Sequence, residues 1–93
     1  MNREDAEELS VLLLQLAAKL DQSVSFVKDK DTEENYLKYR KGIGNVLGYL
    51  YFDVKSPLWE KHPELKPKDL DGPYNVNKKI YEPKFYDKGN KST

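Results

Sequence analysis

Cysteine is absent from the chain, which excludes disulfides and thiolate chemistry and leaves the redox compartment open. Long hydrophobic runs are missing as well. None exceeds four residues, as at Val11–Leu14, far short of a membrane span. Net charge is also lacking: 16 acidic residues offset 16 basic ones, so no partner follows from the total. The first residues are acidic and do not show the basic-then-apolar order of a signal peptide, so a cytoplasmic location is the expectation.

The charges that are present are unevenly placed. Residues 1–35 carry nine acids against four bases, and residues 36–93 carry seven against twelve. The two halves are therefore expected to lie against each other, or the basic end to meet something acidic. The 93 residues suffice for one domain. At 38% hydrophobic and 34% charged the chain is polar, yet seven Tyr, three Phe and one Trp are too many aromatics for a wholly disordered one.

Apolar residues at Ala6, Leu9, Leu13, Leu16, Leu20, Val24 and Val27 recur every three or four positions. That spacing predicts a helix from about Arg3 to Lys30, about 40 Å long, with Val11, Leu12, Leu14 and Ala17 widening its apolar stripe. Asn2 is placed to cap it, and Glu4, Asp5, Glu7 and Glu8 complement the helix dipole. Five polar residues, Lys28 to Thr32, break the pattern. Asp31 with Glu34 has capping-box order, and Thr32 is an alternative cap. So short a connection makes the two helices antiparallel neighbours.

A second helix is expected over 32–55, from the period of Tyr36, Tyr39, Ile43, Val46 or Leu47, Leu50 and Val54. Gly42, Gly44 and Gly48 interrupt it, at about 1 kcal/mol each relative to alanine. Gly44 and Gly48, four apart, share a face and leave a smooth notch. Beyond it Tyr49, Leu50, Tyr51 and Phe52 present bulk all round. Ser56-Pro57 reads as a fresh helix start, with Leu58 and Trp59 as anchors, and Pro63 as the stop. Leu65 and Leu70 are apolar pegs before an Asp71-Gly72-Pro73 turn. From Tyr74 no helical period remains, and an extended arm is expected, fraying over residues 88–93. The reading is all-α: a helical hairpin domain over 1–73, including a short third helix, and a C-terminal arm over 74–93.

One hairpin buries one stripe per helix, and these stripes are wide. Leu12, Leu14, Tyr51 and Phe52 would stay wet, forfeiting several kcal/mol at ~25 cal/mol per Å2. Two hairpins pairing into a four-helix bundle would recover that loss, so a homodimer is expected. The competing solution folds the Leu58–Trp59 helix and the arm back as a lid.

Chemistry-bearing groups are sparse. His62 is the only histidine, two positions from Glu60, so the two cannot share a helical face; it reads as a cap or surface residue. The remaining acids crowd into first helical turns, which leaves no metal-ligand spacing. The glycines of Gly42–Gly48 lack a preceding strand and the Gly-Lys-Ser/Thr ending of a phosphate loop. No catalytic, cofactor or metal residue is assigned. The expected function is a non-catalytic interaction or assembly module, with Gly44, Gly48, Tyr51, Phe52, Leu58, Trp59, Tyr81 and Phe85 as its surface and Trp59 as an exposed anchor. Two alternatives stand beside it. One is a small-molecule binder or enzyme using the Gly44–Gly48 notch with Tyr36, Tyr49, Tyr51 and His62 nearby. The other is weak nucleic-acid binding by the lysines and aromatics of the arm.

Overall fold

The computed structural model describes residues 1–87. Helix α1 runs Arg3–Lys30, helix α2 Glu33–Tyr49 and helix α3 Ser56–Lys61; among the described residues there is no strand. None of their helices is long and apolar enough to cross a membrane. The 28 residues of α1 account for the 44 Å long axis, and the 21 Å thickness is that of two helices side by side.

The helix ends follow local chemistry. Asn2 caps α1, its Oδ1 accepting the Asp5 N–H at 2.7 Å. Thr32 caps α2 by accepting the Asn35 N–H at 3.2 Å. Asp31 does not form the capping box that its spacing suggested. Its extended backbone closes α1 through an N–H donated to Val27, and its carboxylate accepts from Thr32 N–H at 2.6 Å and Asn35 Nδ2 at 3.1 Å. One aspartate thus holds the corner between the antiparallel helices.

The expected fresh start at Ser56-Pro57 does not occur. Lys55 and Ser56 have helical dihedrals, so the backbone stays helical from Glu33 to Lys61, passing through a π-helical segment at Leu50–Lys55. Pro57 has no N–H to give, and its ring crowds the carbonyl four residues back. The wider turn, in which Ser56 N–H reaches the Tyr51 carbonyl, accommodates it. The extra residue in that turn advances the register of everything after it, and Trp59 points back at α1. His62 leaves helical geometry immediately before Pro63, as expected.

The core is small and lies where α1, α3 and the following loop meet. Ala6, Trp59 and Leu65 are buried, with Leu14, Tyr51, Leu58 and Tyr74 packed against them. Ser10, 1% exposed, accepts the Trp59 indole N–H at 3.0 Å, so the one polar group in this core is satisfied. Short 3-10 turns at Pro63–Leu65 and Lys68–Leu70 carry the chain to an isolated bridge between Pro67 and Tyr74. Asp71 takes the left-handed conformation (φ 68°), and Gly72 sits so close to the Lys66 carbonyl that a Cβ would overlap it.

Residues 74–87 run along α1 in its own direction. Tyr74 OH donates to Glu7 at 2.6 Å, Gln15 Nε2 to the Ile80 carbonyl at 2.8 Å, and Lys19 Nζ to the Pro83 carbonyl at 2.8 Å. Gln22 Oε1 then accepts the N–H groups of Phe85 (2.6 Å) and Tyr86 (3.2 Å), and Tyr86 OH donates to Asp29 at 2.6 Å. Within this arm Lys78–Tyr81 is a 3-10 turn rather than fully extended. The fraying expected over residues 88–93 lies outside the described residues.

Candidate interaction face on the helical seam

Three sides of α1 are occupied: by α2, by the Trp59 core and by the arm. The fourth is open. Leu12 and Leu16 lie on it, four residues apart, 55% and 44% exposed. Ser23, on the same helical face, shares a 2.8 Å hydrogen bond with Tyr39 OH and so pins the register of the hairpin. Counting antiparallel from that bond sets Leu16 level with Val46. Tyr39 and Val46, seven apart on one face of α2, are 37% and 47% exposed. The open side of the seam is therefore apolar on both helices.

At the hairpin's closed end this face deepens into a groove of about 560 Å3, lined by Val27, Asp31, Asn35, Lys38, Tyr39, Gly42, Ile43 and Val46. A Cβ built on Gly42 would meet nothing within 4 Å, so another backbone can approach there.

The residues expected to form the interaction surface separate into two groups. Trp59 is 3% exposed and belongs to the chain's own core, with Tyr51 and Leu58 packed around it, so it is no exposed anchor. The competing lid arrangement is the one present on that side. Gly44, Gly48 and Phe52 stay at the surface and line a shallow depression of about 520 Å3 with Asn45, Tyr49 and Asp53. Among the described residues no other element fills it: nothing lies within 4 Å of a Cβ built on either glycine. Tyr36, Tyr51 and His62 are not among the residues lining it. Tyr81 borders a cleft against Leu14, Ala17 and Ala18 of α1, and Phe85 packs on Phe26 with ring centroids 5.4 Å apart.

Sequence reasoning singled out Leu12 as wet but passed over Leu16, Tyr39 and Val46, because each also fits the stripe facing the partner helix. The usable signal was the width of that stripe. The polar partners of the arm, Gln15, Lys19 and Gln22, were missed as well. Nothing separates them in sequence from a solvated face.

Electrostatics add detail without adding a reactive centre. Burial lowers the Lys55 pKa, and its ammonium lies over the rings of Tyr51 (5.9 Å) and Trp59 (5.7 Å). The Tyr74 hydroxyl holds the Glu7 carboxyl below its usual range, and Glu7 in turn raises the Tyr74 phenol. Asp29 likewise raises the Tyr86 phenol, and burial, with Asp69 nearby, raises Tyr81. His62 Nδ1 lies 3.7 Å from Glu64 Oε2 at the end of α3. Among the described residues no three His, Asp or Glu side chains converge as a metal site. Comparison with protein-family models, with curated proteins and with solved structures found no match.

Proposed function

We propose that the protein is a non-catalytic assembly module that acts as a homodimer, two hairpins pairing through their open seams into a four-helix bundle. The observation that carries this reading is the exposure of Leu12, Leu16, Tyr39 and Val46 along one face that uses both helices. Exposed apolar residues aligned on one face are the kind of surface that interaction sites use. Burying about 300 Å2 of it on each protomer contributes about 15 kcal/mol at ~25 cal/mol per Å2, against about 4–15 kcal/mol lost in association. The balance runs from about 0 to about 11 kcal/mol, so the area permits a dimer and leaves its affinity to be measured.

A second copy suits this face better than an unrelated ligand. Apart from the groove at the closed end, the surface is a long open face, whereas small-molecule sites are concave and enclose most of their ligand. A twofold axis through the seam sets each Leu12–Leu16 stripe against the partner's helices. The test is the mass of the protein in solution, together with its response to a charge on the seam. Leu16→Lys should abolish the dimer while leaving the monomer folded, since Leu16 is 44% exposed and outside the Trp59 core.

A further inference from the structure

The arm is fastened by an unusual division of labour. Along α1, Gln15, Lys19, Gln22 and Phe26 follow one another at intervals of four, three and four, a single helical stripe. The first three of these side chains bind main-chain groups of the arm: the carbonyls of Ile80 and Pro83 and the N–H groups of Phe85 and Tyr86. Side-chain hooks hold the near end, where Tyr74 reaches Glu7, and the far end, where Phe85 and Tyr86 pack on Phe26 at 5.4 and 5.3 Å and Tyr86 reaches Asp29; between them Tyr81 lies in the cleft beside Leu14. A seat that reads main chain and two terminal aromatics accepts any chain with the same segment, and a second copy carries that segment.

Two further observations point to the second copy. The arm stripe borders the seam directly: Leu12, Leu16 and Ser23 each lie three residues before Gln15, Lys19 and Phe26, hence beside them on the helix surface. A partner docked on the seam therefore stands next to this seat. The arm also hangs from a short hinge. Tyr74 is fixed upstream through Glu7 and through backbone bonds to Lys66 and Lys68, while the chain is taken up again only at the 3-10 turn of Lys78–Tyr81. Exchange of an identical element between protomers is a low-cost route to dimers, and here it requires only residues 75–77 to change course.

We propose that the α1 stripe is a docking site for an extended, aromatic-tipped peptide, and that in the assembled protein its occupant is the arm of the second copy, residues 78–87. This rests on the self-association proposed above. The absence of cysteine makes the test clean, because single introduced thiols have no competitors. Full-length Phe26→Cys and Phe85→Cys chains are mixed, left to re-equilibrate and oxidised. Exchange predicts the mixed disulfide as the main covalent dimer, at least ~10-fold over either symmetric one, since seating raises the local thiol concentration toward the millimolar range. Adding Gln22→Ala to the Phe26→Cys chain should cut the mixed product several-fold. A second pair, Asp29→Cys with Tyr86→Cys, keeps Phe26 and Phe85 in both chains and should give the same pattern. Symmetric and mixed disulfides in statistical proportion with both pairs, or no covalent dimer, would overturn the exchange. Sedimentation of the unmodified protein separates the two ideas: a dimer without mixed disulfide removes the exchange and leaves the seam, and a strict monomer removes the seam.

Discussion

Replacing Trp59 with alanine separates a core tryptophan from a surface anchor. The indole is 3% exposed, packs on Ala6, Leu65 and Tyr51, and donates to Ser10. Truncating a buried aromatic to alanine costs about 3–5 kcal/mol, and Ser10, itself buried, loses its donor in the same step. At roughly 0.05–0.15 kcal/mol per residue, the whole fold is worth about 5–14 kcal/mol, and so small a core places it toward the lower end. Trp59→Ala should therefore bring the protein close to unfolding. Urea denaturation followed by far-UV circular dichroism, at fixed protomer concentration, is the assay. With a slope near ~1 kcal/mol per molar urea, the midpoint should fall by about 3 M or the folded baseline vanish. Trp59→Phe keeps most of the ring and should lose much less. A Trp59→Ala midpoint within about 0.5 M of the parent would refute the packing argument, and weakened assembly at unchanged stability would restore Trp59 as an interface anchor.

Gly48→Ala should stabilise the fold by about 1 kcal/mol, because nothing occupies the space a methyl would fill and alanine favours the helix; the dimer mass should not change. Loss of dimer in that variant would move the interface to the notch. Gly72→Ala should destabilise measurably, since its Cβ overlaps the Lys66 carbonyl, while Asp71→Gly should be neutral or gain up to ~1 kcal/mol at a left-handed backbone position; thermal midpoints check both. The Glu7–Tyr74 hydrogen bond gives a pH dependence of definite sign. Glu7 has a folded pKa below its usual 4.5, so its contribution is present above that value and lost as pH falls through the lower one. Tyr74 has a folded pKa above 10.0, so its contribution is present below that value and lost as pH rises through the higher one. Tyr74→Phe should flatten the stability profile at both ends relative to the parent, and identical profiles would contradict the pairing.

The hairpin was legible because its signals are local. Period, caps and the polar corner at residues 28–32 all act within one or two helical turns, and α1 begins and ends where they place it. What failed was register beyond Pro57. Treating Ser56-Pro57 as a restart left the direction of Trp59 free, whereas the π-helical turn continues the helix and aims the indole at Ser10, 49 residues away. No local pattern encodes a contact of that range. The arm shows a different limit. Its path is set by Gln15, Lys19 and Gln22 binding main-chain groups, and main chain carries no sequence signal. Phe26, which falls outside the apolar stripe of α1, was the one mark that something covers that side. On the candidate surface, wide stripes implied excess apolar area. Deciding which residues the lid takes and which stay exposed needed three dimensions: Leu14 and Tyr51 went to the core, and Leu12, Leu16 and Phe52 did not.

Sedimentation equilibrium of the parent protein beside Leu16→Lys and Val46→Lys tests the central claim most directly. The parent should sediment at twice the 10.9 kDa chain mass, and each lysine variant at the mass of one chain with an unchanged helical circular dichroism spectrum. A parent that stays monomeric at the highest concentration reached, or variants that dimerise as the parent does, would contradict assembly through the seam.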